Sequence, residues 1–154
     1  MKTLIAIFAA ALLLTGCLPM ALFANGSGPA YQNLRTSYGT YISHSSVDAG
    51  CLTPKLRLAI WEFEGFFGSK VIMNSGYRTP QHNASVGGAE NSYHMRCMAA
   101  DFYIPGVSKA KLIAFAMRLG YVGGVGCYPG RDFIHIDVRD RARGASGPTT
   151  FSGC

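Results

Sequence analysis

The sequence contains no Cys-x-x-Cys pair, no Gly-x-Ser-x-Gly, no run of five or more basic residues and no internal repeat. Each absence removes something. Zinc held by paired thiolates lacks its usual ligand spacing. Acyl-enzyme chemistry on an elbow serine has no support. Basic charge is scattered instead of striped, so nucleic acid is not an expected partner. Charged residues make up only 14% of the chain.

A short apolar run, Leu4 to Leu14, follows Lys2 at the N-terminus. It is too short to span a bilayer comfortably and reads as an export signal. Leu14-Thr15-Gly16-Cys17 resembles the lipobox of bacterial lipoproteins, with Cys17 as the lipidated residue and a membrane anchor. Ordinary cleavage after Ala24, or an uncleaved anchor reaching Phe23, are the alternatives. All three export the chain, and a periplasmic, membrane-anchored lipoprotein is the expectation. Residues 1–16 are then signal, 17–50 an N-terminal linker, 51–140 the folded domain and 141–154 a C-terminal tail. The 154 residues suffice for one domain with a real core, and a monomer is expected. The net charge of +6 suits polyanions such as anionic lipid or wall polymers.

Export changes how the cysteines read. Besides Cys17 there are four, Cys51, Cys97, Cys127 and Cys154. An even number in an oxidising compartment predicts two disulfides, and spacing alone leaves all three pairings open.

Asn25 to Pro29 is turn chemistry, and His44 in Ser-His-Ser-Ser reads as a solvated loop residue. Thr53 and Pro54 predict a helix start, with Leu56, Ile60, Phe63 and Phe67 on its buried face, supported by Ala59 and Phe66, and Gly68 as its stop. Val71 to Met73 predicts a buried strand. From Ser75 to Gly88 the backbone is expected to be irregular, a long polar loop of the kind that carries function. Asp101 to Ile104 predicts a strand. Ser108 caps a second helix with Leu112, Phe115, Ala116 and Leu119 inward, stopped by Gly120. Val122 to Tyr128 and Phe133 to Val138 predict two more strands. The last alternates, with Phe133, His135 and Asp137 on one face and Ile134, Ile136 and Val138 on the apolar one. The pattern predicts an α+β domain, a small antiparallel sheet with flanking helices.

His94, Asp101 and His135 form a candidate zinc set: two imidazoles, one carboxylate and an open fourth position, which marks a catalytic site. Asp132 and Asp137 flank the last ligand.

Ser92-x-His94, Ala99-x-Asp101 and a distant His135 resemble the zinc D-alanyl-D-alanine carboxypeptidase family, peptidase family M15, whose fold is shared with the hedgehog signalling domain. SGYRTPQHN, GGAENSYHMRCMAAD, GGVGCYP and FIHIDVR resemble its exported subgroup, which includes murein endopeptidases. The likeness runs from about Cys51 to Arg139. It implies zinc on His94, Asp101 and His135. It implies Asp132, three residues before the last ligand, as general base, with Asp137 the rival or an orienting partner of an imidazole. It gives Arg78 a substrate carboxylate or the developing oxyanion. Ser92 supports the ligand loop, and His82 contacts substrate or caps the loop. Cys97 stands where the general pattern has glycine; the subgroup's cysteines there and at Cys51 imply the pairs Cys51–Cys97 and Cys127–Cys154.

The function so implied is hydrolysis of peptide bonds in peptidoglycan stem peptides or cross-links, by a bacterial or phage enzyme. D,D- and L,D-specificity both stay open. The alternatives are a non-catalytic zinc-containing wall-binding module and a metal-free structural protein stapled by disulfides.

Overall fold

Residues 29–154 are described by a computed structural model of the chain. The segment expected to be an export signal, the lipobox-like residues and Cys17 lie outside the described residues. Among those described, no helix is long and apolar enough to cross a membrane.

Helix α1 (Pro54–Phe67) begins where its sequence dictates. The Thr53 hydroxyl accepts from the Leu56 amide at 3.4 Å, Pro54 occupies the first turn, and Gly68 leaves the helix at φ 62°. Its buried stripe is Leu56, Ala59, Ile60 and Phe63. Phe63 is wholly buried and meets Phe102 and Phe115 edge-on at 5.0 and 4.8 Å; burial of such a ring is worth roughly 1.5–3 kcal/mol. Phe66, expected to support the core, is instead 54% exposed and stacks on Phe115 from outside. It stands three positions after Phe63, on the shoulder of the stripe.

Seven strands form one sheet among the described residues: β1 (Arg35–Ser37), β2 (Thr40–Ile42), β3 (Ile72–Ser75), β4 (Ala99–Tyr103), β5 (Gly124–Gly126), β6 (Ile134–Asp137) and β7 (Thr149–Phe151). Their order is β1-β2-β3-β4-β6-β5-β7. The domain is α+β, but the sheet is mixed, not the small antiparallel sheet predicted. β3, β4, β6 and β5 are antiparallel neighbours, whereas β2 joins β3 in parallel and β7 joins β5 in parallel. α1 provides the long crossover that a parallel β2–β3 pair needs.

The strands outside the central four are three residues each, too short to print an alternation. β1 and β2 precede residue 51 and β7 follows residue 140, so the boundaries expected there fall inside one sheet. Ile42, Val47 and Ala49 belong to the same buried cluster as Leu56 and Phe63.

Helix α2 (Pro80–Ser85) interrupts the stretch predicted to be irregular. Thr79 caps it through the His82 amide at 3.2 Å. Helix α3 (Lys109–Arg118) buries Leu112, Phe115 and Ala116, and Ser108 precedes it without a side-chain cap. Ile134, Ile136 and Val138 are buried in the shared core, which leaves the other face of β6 for chemistry. Two disulfides are present, Cys51–Cys97 with Cα atoms 5.6 Å apart and Cys127–Cys154 at 4.9 Å.

Candidate metal centre

Asp101 on β4 and His135 on β6 are register partners, so their side chains leave the sheet side by side. His94 arrives from a 3-10 turn, Tyr93–Arg96, whose first amides are held by Ser92: its hydroxyl accepts from the His94 amide at 3.3 Å. The turn ends at Cys97 with φ 58°, a left-handed conformation that explains why the related pattern has glycine there. Here a cysteine takes it, tied to Cys51.

The three side chains are buried and meet at single atoms. His135 Nδ1 lies 2.8 Å from Asp101 Oδ1, His94 Nε2 lies 3.2 Å from the same oxygen, and the two nitrogens are 3.1 Å apart. Their outer atoms fix what the inner ones are. His94 Nδ1 donates to the Gly76 carbonyl at 2.7 Å, an acceptor only. His135 Nε2 donates to Asp137 Oδ2 at 3.3 Å. With their protons spent there, neutral imidazoles present two lone pairs to a carboxylate oxygen. Three acceptors with no donor between them require a cation, so the residues fit a metal ion.

The same arrangement favours a proton. Burial disfavours an imidazolium at His135, but hydrogen bonds to Asp101 and Asp137 outweigh it and raise its pKa. Burial likewise opposes ionisation of Asp101, and the two imidazoles outweigh it, holding the carboxyl well below the usual range.

Asp137 is wholly enclosed. Its Oδ1 accepts from the Arg139 amide at 3.1 Å and from Arg139 Nε at 2.7 Å; its Oδ2 accepts from the other guanidinium arm and from His135. Burial alone would raise its pKa, yet the hydrogen bonds from His135 and Arg139 lower it to about 2. Its oxygens are fully used, which suits an orienting partner and not a base. Arg139 in turn lies 4.3 Å from the Tyr93 ring centroid. A Cβ on Gly124 would sit 2.2 Å from Asp137 Oδ2, so this close approach requires glycine.

Arg78 donates from Nε to Ser75 Oγ at 2.7 Å and from a terminal nitrogen to Asp101 Oδ2 at 2.6 Å. It braces a candidate ligand as well as lining the groove beside it. That groove encloses about 860 Å³ and is also lined by Ser92, Tyr128, Phe133, Arg139 and Phe151. Three predicted residues stand apart from its lining: Asp137, enclosed behind His135, and two that are exposed. His82 is exposed on α2, where its amide serves the Thr79 cap. Asp132 is exposed in the turn before β6 and makes no hydrogen bond or ion pair with described residues.

Sequence reasoning gave no role to Arg139, Tyr93, Tyr128 or Phe151. For Arg139 the signal existed: the alternation that aligns Phe133, His135 and Asp137 reaches it next. For Phe151 there was none, since a three-residue strand in a Gly/Ser/Thr-rich tail carries no period.

The family comparison makes the chain a peptidase. A family model described as Peptidase M15 matches residues 32–137, and the chain belongs to that family. Among similar proteins, the peptidoglycan L,D-endopeptidase MepK of Escherichia coli (strain K12) is 32% identical over 127 residues, covering 77% of this chain and 68% of the relative. The probable peptidoglycan L,D-endopeptidase MepK of Haemophilus influenzae is 41% identical over 79 residues, covering 48% of this chain and 42% of that protein.

Proposed function

We propose that the chain is a zinc-dependent peptidase that hydrolyses peptide bonds in peptidoglycan stem peptides or cross-links. The observation that carries this is the meeting of His94 Nε2, His135 Nδ1 and Asp101 Oδ1 as three acceptors at one buried point. These residues would hold zinc, which supplies a Lewis acid that polarises a carbonyl and acidifies water. Asp132 takes the proton from the attacking water and returns it to the leaving amine. Arg78 keeps Asp101 oriented, and its second terminal nitrogen serves the developing oxyanion. Asp137 fixes the ring of His135. Ser92 holds the His94 turn.

Both relatives are named L,D-endopeptidases, which favours L,D- over D,D-cleavage here. The substrate and the two disulfides belong outside the cytoplasm, with Cys17 as the point of lipid attachment and the membrane as its partner. The enzyme acts as a monomer.

The test pairs metal analysis with digestion of purified peptidoglycan, for wild type and His135→Ala. The wild type should hold about one zinc and release fragments whose masses identify the bond; the variant should do neither. A second reading, a zinc-holding wall-binding module without turnover, draws on the position of Asp132 outside the groove lining. Zinc without fragments would establish it, and no zinc after loading would end both.

A further inference from the structure

Four arginines line the groove, Arg78, Arg96, Arg131 and Arg139, against one carboxylate, Asp101. Two of the four are already paired. Arg78 binds Asp101 at 2.6 Å and Arg139 binds Asp137. Arg96 and Arg131 are exposed and form no ion pair with any described residue. The acid nearest Arg96 in sequence, Asp101, is already held by Arg78, and the acid nearest Arg131, Asp132, does not line the groove.

Both free arginines are nonetheless mounted on fixed backbone. Arg96 ends the 3-10 turn that carries His94, and its guanidinium lies 5.3 Å from the Tyr93 ring centroid. Arg131 closes a turn in which its amide bonds the Tyr128 carbonyl at 3.1 Å. Lys109 Nζ then clamps the carbonyls of Tyr128 and Arg131 at 3.1 and 2.7 Å. The clamp holds the main chain and leaves the Arg131 side chain unengaged. One arginine thus follows the first histidine and the other precedes the second. Like charges in one cleft repel, and a bound divalent cation adds to that. Such a cleft concentrates anions, and the planar guanidinium fork matches a carboxylate with two parallel hydrogen bonds.

We propose that Arg96 and Arg131 are the carboxylate-binding residues of the groove, and that the substrate is a peptide bearing two free carboxylates besides the bond that is cut. This rests on the peptidase reading and narrows it: peptides whose carboxylates are amidated are poor substrates.

The test uses a cross-linked stem-peptide dimer in two forms, carboxylates free and the same carboxylates amidated. Zinc-loaded wild type, Arg96→Gln and Arg131→Gln are compared on both for KM and kcat. Calorimetry measures binding of both dimers to the metal-free proteins. Both side chains are exposed, so the thermal midpoints should be unchanged. On the free dimer each variant should raise KM about tenfold with kcat retained, the loss of one charge-assisted contact. On the amidated dimer the variants should match wild type. Equal losses on both dimers, no loss on either, or wild type binding the amidated form as tightly as the free one would each overturn the proposal. If wild type cuts neither dimer, the peptidase reading fails, and the binding arm still decides the role of the two arginines.

Discussion

Asp101 and His135 face each other across β4 and β6, and the carboxylate Oδ1 lies 2.8 Å from the imidazole Nδ1. That single contact joins the sheet to the chemistry. Strand pairing sets the two side chains together, and the hydrogen bonds from His135 to Asp101 and Asp137 raise its pKa.

The first prediction is therefore opposite pH responses with and without metal. A raised folded pKa gives the metal-free protein stability that is fully present below the unfolded value, roughly 6.5. It is lost as pH rises through the folded value. Zinc needs the neutral ring, so its apparent affinity should climb about tenfold per pH unit below that folded pKa and then level off. Zinc titrations in weakly binding buffers from about pH 5.5 to 8, with proton release measured, check it. A flat affinity profile would show that no proton holds the site.

Asp137 provides the second. Its folded pKa of about 2 lies below the ordinary carboxylate value. Its contribution, about 2 kcal/mol, is present above roughly pH 4 and disappears as pH falls towards 2. Asp137→Asn should lack that loss in metal-free urea unfolding at the two pH values. Through the His135 ring it should also weaken zinc binding by about 10- to 100-fold. If zinc affinity is untouched, Asp137 does not orient the ligand.

Asp132→Asn should separate the two carboxylates. An exposed side chain without partners bears little on stability. Zinc content should stay at the wild-type level while kcat falls by about 10²- to 10⁴-fold. Retained turnover would exclude Asp132 as the base.

How much of this was legible beforehand follows from the kind of signal each residue carries. Thr53, Pro54 and Gly68 wrote the ends of α1 into the sequence because caps are local. The alternation from Phe133 to Val138 gave the two faces of β6, because one face is apolar throughout. The meeting of His94 with His135 spans 41 positions, and no local rule brings them together; the family resemblance linked them. The outer strands were invisible for a physical reason: three residues cannot establish a period, and the parallel pairing of β2 with β3 depends on where α1 delivers the chain. Arg78 was read for substrate alone, and its bond to Asp101 appears only in three dimensions.

Cys97 allows a test of backbone strain. In a non-glycine residue φ 58° costs about 1–2 kcal/mol. The bridge to Cys51 closes a loop of sequence separation 46, which the chain-entropy account values at about 4 kcal/mol. Cys51→Ala should therefore lose up to about that much. Cys97→Gly added to it should recover about 1 kcal/mol. Urea unfolding of the single and double variants measures both terms. Further loss in the double variant would mean the side chain, not the bridge, keeps the turn.

The last prediction concerns the groove wall beyond the family-matched segment. Phe151 lies 5.3 Å from the His135 ring, centroid to centroid, and 5.6 Å from the Arg139 guanidinium. It is carried by β7, a three-residue strand at the sheet edge that, among the described residues, pairs only with β5. The Cys127–Cys154 bridge holds the chain immediately after it. Gly126 makes room: a Cβ there would sit 2.7 Å from the Phe151 ring. A short edge strand carries few hydrogen bonds of its own, so without the bridge it should fray while the core persists. Replacing both cysteines with serine should leave zinc content intact. It should raise KM by the same factor as Phe151→Ala, and the two changes combined should add nothing further, because each removes the same wall. Additive losses would show that the bridge acts on the site by some route other than Phe151.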